Sequence, residues 1–310
     1  MAAPVVLLVG PTASGKSAAA MQLAERFNAE IISIDSALVY RDMNIGTAKP
    51  SVEEQAQVPH HLIDLIDPTS SYSVARFVVD CQTAIADIHS RGRMPLLVGG
   101  TMMYANMLVN GMSDVPPADA AIRTELAARR ERDGIESLHA ELMKVDPATA
   151  TRLPPTDTQR IERALEVWMI AGTPLSALQG RRKPVLAGLH SLVLRWLPAD
   201  RAWLHSRCEV RLDAMFAQDF VAEVESLRSK YRLTAEMPSM RCVGYRQVLD
   251  VLEGRAPKTE MFDRALFATR QLAKRQITWL RSFDGDIVEC DLADAIEHAA
   301  NFIVQAQSAA

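Results

Sequence analysis

One run, Gly10-Pro11-Thr12-Ala13-Ser14-Gly15-Lys16-Ser17, constrains this chain more than any other stretch. It follows Pro4-Val5-Val6-Leu7-Leu8-Val9, an apolar run short enough to be one buried strand, and precedes a helical pattern over residues 17–27. A G-x-x-x-x-G-K-[ST] loop between strand and helix is a phosphate cradle. Its glycines permit tight turns that aim successive N–H groups at an anion. The helix N-terminus contributes partial positive charge and Lys16 a full one. The Ser17 hydroxyl can serve a Mg²⁺ that bridges phosphate oxygens. A ligand with two or more phosphates is implied, either a nucleoside triphosphate or another diphosphate.

Alternation of strand and helix continues to about residue 112. Glu30-Ile31-Ile32-Ser33-Ile34 is predicted as a strand ending at Asp35-Ser36-Ala37, and His61-Leu62-Ile63-Asp64-Leu65-Ile66 as a weaker one. Val74, Phe77, Val78, Cys81, Ile85 and Ile88 mark a helix, and Pro95-Leu96-Leu97-Val98 a buried strand ending at Gly99-Gly100-Thr101. The pattern predicts an α/β fold, a parallel sheet flanked by helices. Asp35, Thr101 and the phosphate loop then lie beyond strand carboxyl ends, where such sheets bind ligands. Asp35 reads as a general base or hydrogen-bond acceptor, or else as an outer magnesium residue or helix cap. Thr101 could place its hydroxyl in the cleft or cap the following helix. His60 and His61 are read as structural, since neighbours on a strand point to opposite faces.

Composition shifts at Val115-Pro116-Pro117, and the chain reads as wholly helical from there to about Gly188. Asp119 and Asp157 are candidate N-caps, the second for a helix with Ile161, Leu165, Trp168 and Met169 on its apolar face and Gly172 at its end. The expected organisation is thus a first part of the core over 1–114, an all-helical insertion over 115–188, and a second part of the core with C-terminal helices over 189–310. The insertion reads as a lid or substrate-binding lobe, or as plain elaboration. His190-Ser191-Leu192-Val193-Leu194-Arg195-Trp196 resumes the sheet, helices follow at roughly 200–230, 239–254 and 261–283, and a short strand is expected near Asp286.

The net charge of −4 argues against coating nucleic acid by bulk electrostatics. Locally, Arg264, Arg270, Lys274, Arg275 and Arg281 share a stretch without a single acid, with Arg270, Lys274 and Arg281 near one helix face. This is a functional basic face or a solvated one. Arg207 and Arg211, four apart, could clamp a diphosphate or form an exposed ion-pair face with Glu209 and Asp213. Four scattered cysteines suggest neither a zinc site nor a disulfide framework. No apolar run approaches membrane-spanning length and no signal peptide is evident, so a cytoplasmic location is expected.

Several blocks together resemble the bacterial tRNA dimethylallyltransferases. They are the phosphate loop, Asp35-Ser36-Ala37-Leu38-Val39-Tyr40, Asp42-Met43-Asn44-Ile45-Gly46-Thr47-Ala48-Lys49-Pro50 and Leu96-Leu97-Val98-Gly99-Gly100-Thr101-Met102-Met103-Tyr104. Two more lie near the C-terminus, Arg241-Cys242-Val243-Gly244-Tyr245-Arg246-Gln247 and a run over residues 269–281. The first block is generic to P-loop proteins, whereas the last two are specific.

The resemblance implies a P-loop NTPase-like fold and transfer of a dimethylallyl group from its diphosphate to N6 of the adenosine 3′-adjacent to the anticodon. Gly10, Pro11, Thr12, Ala13, Ser14, Gly15, Lys16 and Ser17 would hold the donor diphosphate, with Mg²⁺ at Ser17. Asp35 would accept a hydrogen bond or proton from N6, Thr101 would contact the substrate, and Lys16 and Arg211 would stabilise the leaving group. tRNA would lie along Asp35, Ser36, Ala37 and Leu38, then Gln159, Arg160, Ile161, Glu162 and Arg163, with Arg123 a further contact. It would continue over Arg241, Cys242, Val243, Gly244, Tyr245 and Arg246, and over Lys274, Arg275, Gln276, Ile277, Thr278, Trp279, Leu280 and Arg281. The phosphate loop ends in Ser17 where many relatives have threonine. The implied partners are tRNA and dimethylallyl diphosphate, without a membrane, and the expected state is a monomer. A P-loop small-molecule kinase using ATP is the chief alternative, but it leaves the basic helix unexplained. A non-catalytic RNA-binding protein is the third reading, and it leaves Asp35 and Lys16 without purpose.

Overall fold

The computed structural model describes residues 4–113, 115–178 and 182–308. By contacts the chain divides into two units, Met1–Leu108 with Gly188–Ala310, and Val109–Ala187.

The larger unit is built on a six-stranded, all-parallel sheet in the order β3-β2-β4-β1-β7-β8. The strands are β1 (Val5–Val9), β2 (Ala29–Ser33), β3 (His60–His61), β4 (Met94–Gly99), β7 (Ser191–Trp196) and β8 (Asp286–Val288). β1, β2 and β4 are buried along their whole length, as central strands covered on both faces must be. Helices α1 (Lys16–Arg26) and α14 (Leu292–Ser308) share a core with Val6, Leu8, Ile31, Leu96 and Val98. Helix α3 (Val74–Ser90) packs against β2 and β4, and α4 (Met102–Asn110) stacks Tyr104 on Phe77 of α3 at 3.9 Å between ring centroids.

A second core joins the loop after β2 to helices α10 (Arg201–Ala217), α11 (Phe220–Tyr231), α12 (Tyr245–Leu252) and α13 (Met261–Arg281). Val39, Tyr40 and Met43 from that loop bury against Leu212, Phe220 and Tyr245. Short α2 (Val52–Gln57) opens on a capping box between Ser51 and Glu54.

Several elements depart from the sequence expectation, among them the helix expected over 239–254, which is a 3₁₀ turn at Pro238–Arg241 followed after a break by α12. The strand expected over residues 61–66 stops at His61, because Leu62 and Asp64 adopt left-handed backbone (φ 62° and 54°) that ends extended pairing. Ile66 keeps a single bridge to Tyr40. The helix expected over 200–230 is broken at Asp219, also left-handed at φ 63°. Helix α14 continues the chain beyond the expected short strand and covers one face of the sheet through Ala295 and Ala299.

The smaller unit contains α5 (Ala120–Asp133), α6 (Ile135–Val145), α7 (Pro147–Ala150), α8 (Thr158–Ala171) and α9 (Leu175–Leu178) around Leu126, Leu138, Leu142, Ile161 and Leu165. Asp119 caps α5 by accepting from the N–H groups of Ala121 and Ile122, and Asp157 caps α8 through Arg160 N–H. Gly172 closes α8 in left-handed conformation. Its limits differ from the expected 115–188, and it is not purely helical. β5 (Met112–Ser113) pairs antiparallel with β6 (Arg182–Lys183), so the outgoing and returning chain are tied by a short ladder before the helices begin.

Candidate active site

The phosphate loop is held from beneath by contacts distant in sequence. Trp196 at the end of β7 donates its indole N–H to Ser14 O at 2.9 Å, and the Ser14 hydroxyl donates to Pro11 O at 2.8 Å. Gly10 is required by close approach, since a Cβ there would meet Trp196 O at 2.7 Å. Gly15 is required by backbone conformation, at φ +83°. It precedes α1 with no side-chain cap, which leaves first-turn N–H groups free for an anion.

Gln276 of α13 ties this loop to the next strand end. Its amide oxygen accepts from Thr12 N–H at 2.9 Å and its amide nitrogen donates to Gly100 O at 2.8 Å. Its side chain is 8% exposed, and a Cβ on Gly100 would sit 2.5 Å from its nitrogen. The resemblance implies a tRNA contact at Gln276, and here both ends of its amide are bonded within the protein.

Asp35 follows β2 at the carboxyl edge of the sheet. One carboxylate oxygen accepts from Ala37 N–H at 2.8 Å and fixes the tight turn that presents the group. The Thr101 hydroxyl does not cap α4. It reaches across to the Asp35 turn, accepting from Ser36 N–H at 3.0 Å and donating to the Ser36 hydroxyl at 3.2 Å. Thr101 therefore fixes the loop that carries Asp35.

Two cavities meet here. The smaller, about 170 Å³, is walled by Lys16, Ser17, Ser33, Met21 and Ile31. The larger, about 620 Å³, is walled by Thr101, Tyr40, Tyr104, Phe220, Arg241 and Trp279. Thr12, Asp35, Thr47, Gly100, Arg211 and Gln276 line both. Burial brings the pKa of Lys16 down to about 8, with Asp35 opposing and Arg211 reinforcing the shift. Burial likewise lowers the pKa of Arg211, whose guanidinium donates to Thr47 O at 3.3 Å. Arg207 lies on the outer side, donating to Ala13 O at 3.4 Å and stacked over Trp203.

For a divalent cation the available protein donors are hard oxygens. The Ser17 hydroxyl begins α1 on the wall of the smaller cavity, beside Ser33 and Asp35. Such a set suits Mg²⁺ that takes most of its ligands from phosphate and water.

Of the C-terminal residues, Arg241, Arg246, Lys274, Arg275, Thr278, Trp279 and Arg281 are exposed. Cys242, Val243 and Ile277 are half-buried, and burial pushes the Cys242 thiol up to about 12. Gly244, Tyr245 and Leu280 are buried. Arg270, grouped with Lys274 and Arg281 in the sequence, instead pairs with Glu209 of α10 at 2.7 Å, and Arg264 pairs with Glu260. In the smaller unit Arg123 and Arg163 converge on Glu166, a carboxylate only 1% exposed, with N–O distances of 2.8 and 2.7 Å. Arg160 pairs with Asp157 and Glu162 with Arg130, Gln159 is exposed, and Ile161 is interior.

Sequence reasoning missed Glu223 of α11. It accepts from the N–H groups of Asn44, Ile45 and Gly46 and from the Tyr245 hydroxyl, at 2.9, 2.7, 3.3 and 2.5 Å. A lone glutamate on an amphipathic helix carries no local signal. Its partners lie in the 42–50 block, whose Gly46 leaves no room for a Cβ beside Phe220. Lys49 in the same block binds Tyr40 O and Asp64.

Comparison with known proteins agrees with this geometry. A family model described as IPP transferase matches residues 38–283, and one described as isopentenyl transferase matches residues 3–64. The tRNA dimethylallyltransferase of Chromobacterium violaceum is 52% identical over 300 residues, covering 94% of this chain and 92% of the relative. That of Paraburkholderia xenovorans is 54% identical over 290 residues, covering 92% of each. Among solved structures, a eukaryotic dimethylallyltransferase acting on tRNA aligns with a TM-score of 0.80 at 29% identity, covering 96% of this chain and 76% of that one. The full-length tRNA isopentenylpyrophosphate transferase of Bacillus halodurans aligns with a TM-score of 0.68 at 35% identity, covering 97% and 96%. The match thus runs over nearly the whole length of this chain and of these relatives, and the chain belongs to the IPP transferase family, among the bacterial tRNA dimethylallyltransferases.

Proposed function

We propose that this enzyme transfers the dimethylallyl group of dimethylallyl diphosphate to N6 of the adenosine 3′-adjacent to the anticodon of tRNA, releasing diphosphate. The observation that carries this reading is the pair of adjoining cavities with Asp35 and Arg211 on their shared wall. The smaller has the phosphate loop and suits the donor. The larger has aromatic walls and an arginine-bordered rim, and suits an extruded adenine.

Breaking the allylic C–O bond builds negative charge on the diphosphate. The α1 N–H groups, Lys16 and Arg211 are the donors that meet it. Ser17 would hold a Mg²⁺ ion, which when bound would supply further neutralisation of the leaving group. An exocyclic adenine amine is a poor nucleophile because its lone pair is delocalised into the ring. Asp35 orients this amine and takes up its proton as the N–C bond forms, while Thr101 keeps the Asp35 turn in place. The walls exclude water that would otherwise trap an allylic cation-like species.

The exposed cations of α13, with Arg241 and Arg246, form the tRNA-binding surface of the larger unit. Arg123, Gln159, Arg160 and Arg163 form that of the smaller. A monomer acting on tRNA in the cytoplasm is the corresponding state.

Incubation with Mg²⁺, unmodified tRNA and dimethylallyl diphosphate, followed by nucleoside mass spectrometry, tests the reading. One dimethylallyl increment on a single adenosine is expected. ATP-dependent phosphorylation of a small alcohol with no modified adenosine would instead favour the kinase.

A further inference from the structure

A third cavity, about 720 Å³, opens as a groove between α12 and α13 and shares Arg241, Val243 and Arg275 with the rim of the larger cavity. Its floor is a stripe of α13 at helical spacing, with Arg264, Phe267, Gln271 and Arg275 succeeding one another along one face. Arg246 and Gln247 form the opposite wall. Phe267 is 66% exposed, more than Trp279 on the same helix at 47%. An isolated exposed phenylalanine needs no explanation. This one lies in a groove whose Arg246 and Arg275 form no ion pair among the described residues, whereas Arg264 and Arg270 of the same helix do.

We propose that this groove is a subsite for one unpaired nucleotide flanking the target base. Its ring stacks on Phe267 while Arg275 and Arg246 hold the neighbouring phosphates. The inference rests on tRNA being the substrate and deepens that reading. An aromatic face bordered by arginines is the chemistry that holds a splayed-out RNA base. Gln271 presents an amide that can donate to and accept from a base edge, while Gln247, whose oxygen accepts from Gly244 N–H at 2.8 Å, keeps its amide nitrogen for donation. From Arg275 at the cavity rim to Phe267 is about 12 Å along the helix, so the occupant is a nucleotide close to the target in the chain. Glu260 and Asp263 line the Arg264 end of the groove, and the four arginines Arg241, Arg246, Arg264 and Arg275 outweigh them, so its net positive charge favours this occupant over an apolar peptide.

The test uses the full-length enzyme and anticodon stem-loops carrying 2-aminopurine at each of the two positions on either side of the target adenosine. For wild type, fluorescence at one position is quenched on binding as the base stacks. F267A should abolish that quenching and raise Kd for the stem-loop about tenfold, with KM for dimethylallyl diphosphate unchanged. F267W should restore both. Equal quenching and equal Kd in wild type and F267A would overturn the subsite, as would loss of binding that F267W does not restore. Failure of wild type to bind any stem-loop would instead overturn the tRNA reading itself. Binding of an apolar peptide that F267A abolishes, with RNA affinity untouched, would assign the groove to a protein partner.

Discussion

In the proposed reaction Asp35 serves the nucleophile and Lys16 the leaving group, and each has its own observable. Asp35→Ala should cut turnover by about 10²-fold or more while leaving tRNA affinity intact. Single-turnover rates and equilibrium binding on the same preparation check this, and a variant that lost tRNA binding instead would remove the base assignment. Lys16 carries a pKa lowered to about 8 by burial, so its positive charge is present below that pH and lost above it. Donor affinity should therefore fall as pH rises past about 8, and binding near pH 8 should take up a proton, because diphosphate favours the charged form. Calorimetry in buffers of different ionisation enthalpy measures that uptake. Lys16→Arg should show neither effect, since arginine stays protonated. Asp35 and Lys16 were legible in the sequence because both flank strand ends in short motifs. Glu223 was not, because its four donors come from residues about 180 and 22 positions away and leave no local pattern.

Helix α13 does two jobs with two faces. Its outer face presents Lys274, Arg275 and Trp279, and its inner face inserts Gln276 between the phosphate loop and Gly100. A run of matching residues in sequence does not separate the two, since helical geometry places neighbours about 100° apart. Gln276→Met keeps the volume but leaves Thr12 N–H and Gly100 O without this partner, a change of about 1–3 kcal/mol for a buried group. It should lower kcat/KM for the donor about tenfold with tRNA affinity within about twofold. Gln276→Glu keeps the Thr12 bond but sets a carboxylate against Gly100 O and near the diphosphate, so its donor KM should rise further. Loss of tRNA affinity with normal donor kinetics would return Gln276 to the RNA surface.

At the scale of the molecule, a chain of net charge −4 must hold a polyanion through local fields. Arg264 and Arg270 are engaged by Glu260 and Glu209, which leaves Lys274, Arg275 and Arg281 as the unpaired cations of α13 among the described residues. Lys274→Ala should weaken tRNA binding and reduce the slope of log K against log salt by about one unit. A titration over a range of salt concentrations checks this, and an unchanged slope would take Lys274 off the phosphate-contact surface. Arg270→Ala, breaking an internal pair, should change the slope less.

The order of strands and helices around the phosphate loop, the Asp157 and Asp119 caps and the family itself were determined by the sequence alone, because each depends on residues adjacent in the chain. Periodicity of apolar residues, a glycine motif and a capping carboxylate are local codes. Tertiary structure alone decided that Thr101 braces the Asp35 turn, that Gln276 straps the phosphate loop and that Glu223 gathers the 44–46 backbone. It also decided which arginines of α13 remain free. The Thr101, Gln276 and Glu223 bonds to these loops join residues 65 to 264 positions apart. Nothing local prefers one partner for them over another, and the choice is made when packing leaves each buried polar group a single place to form its bond.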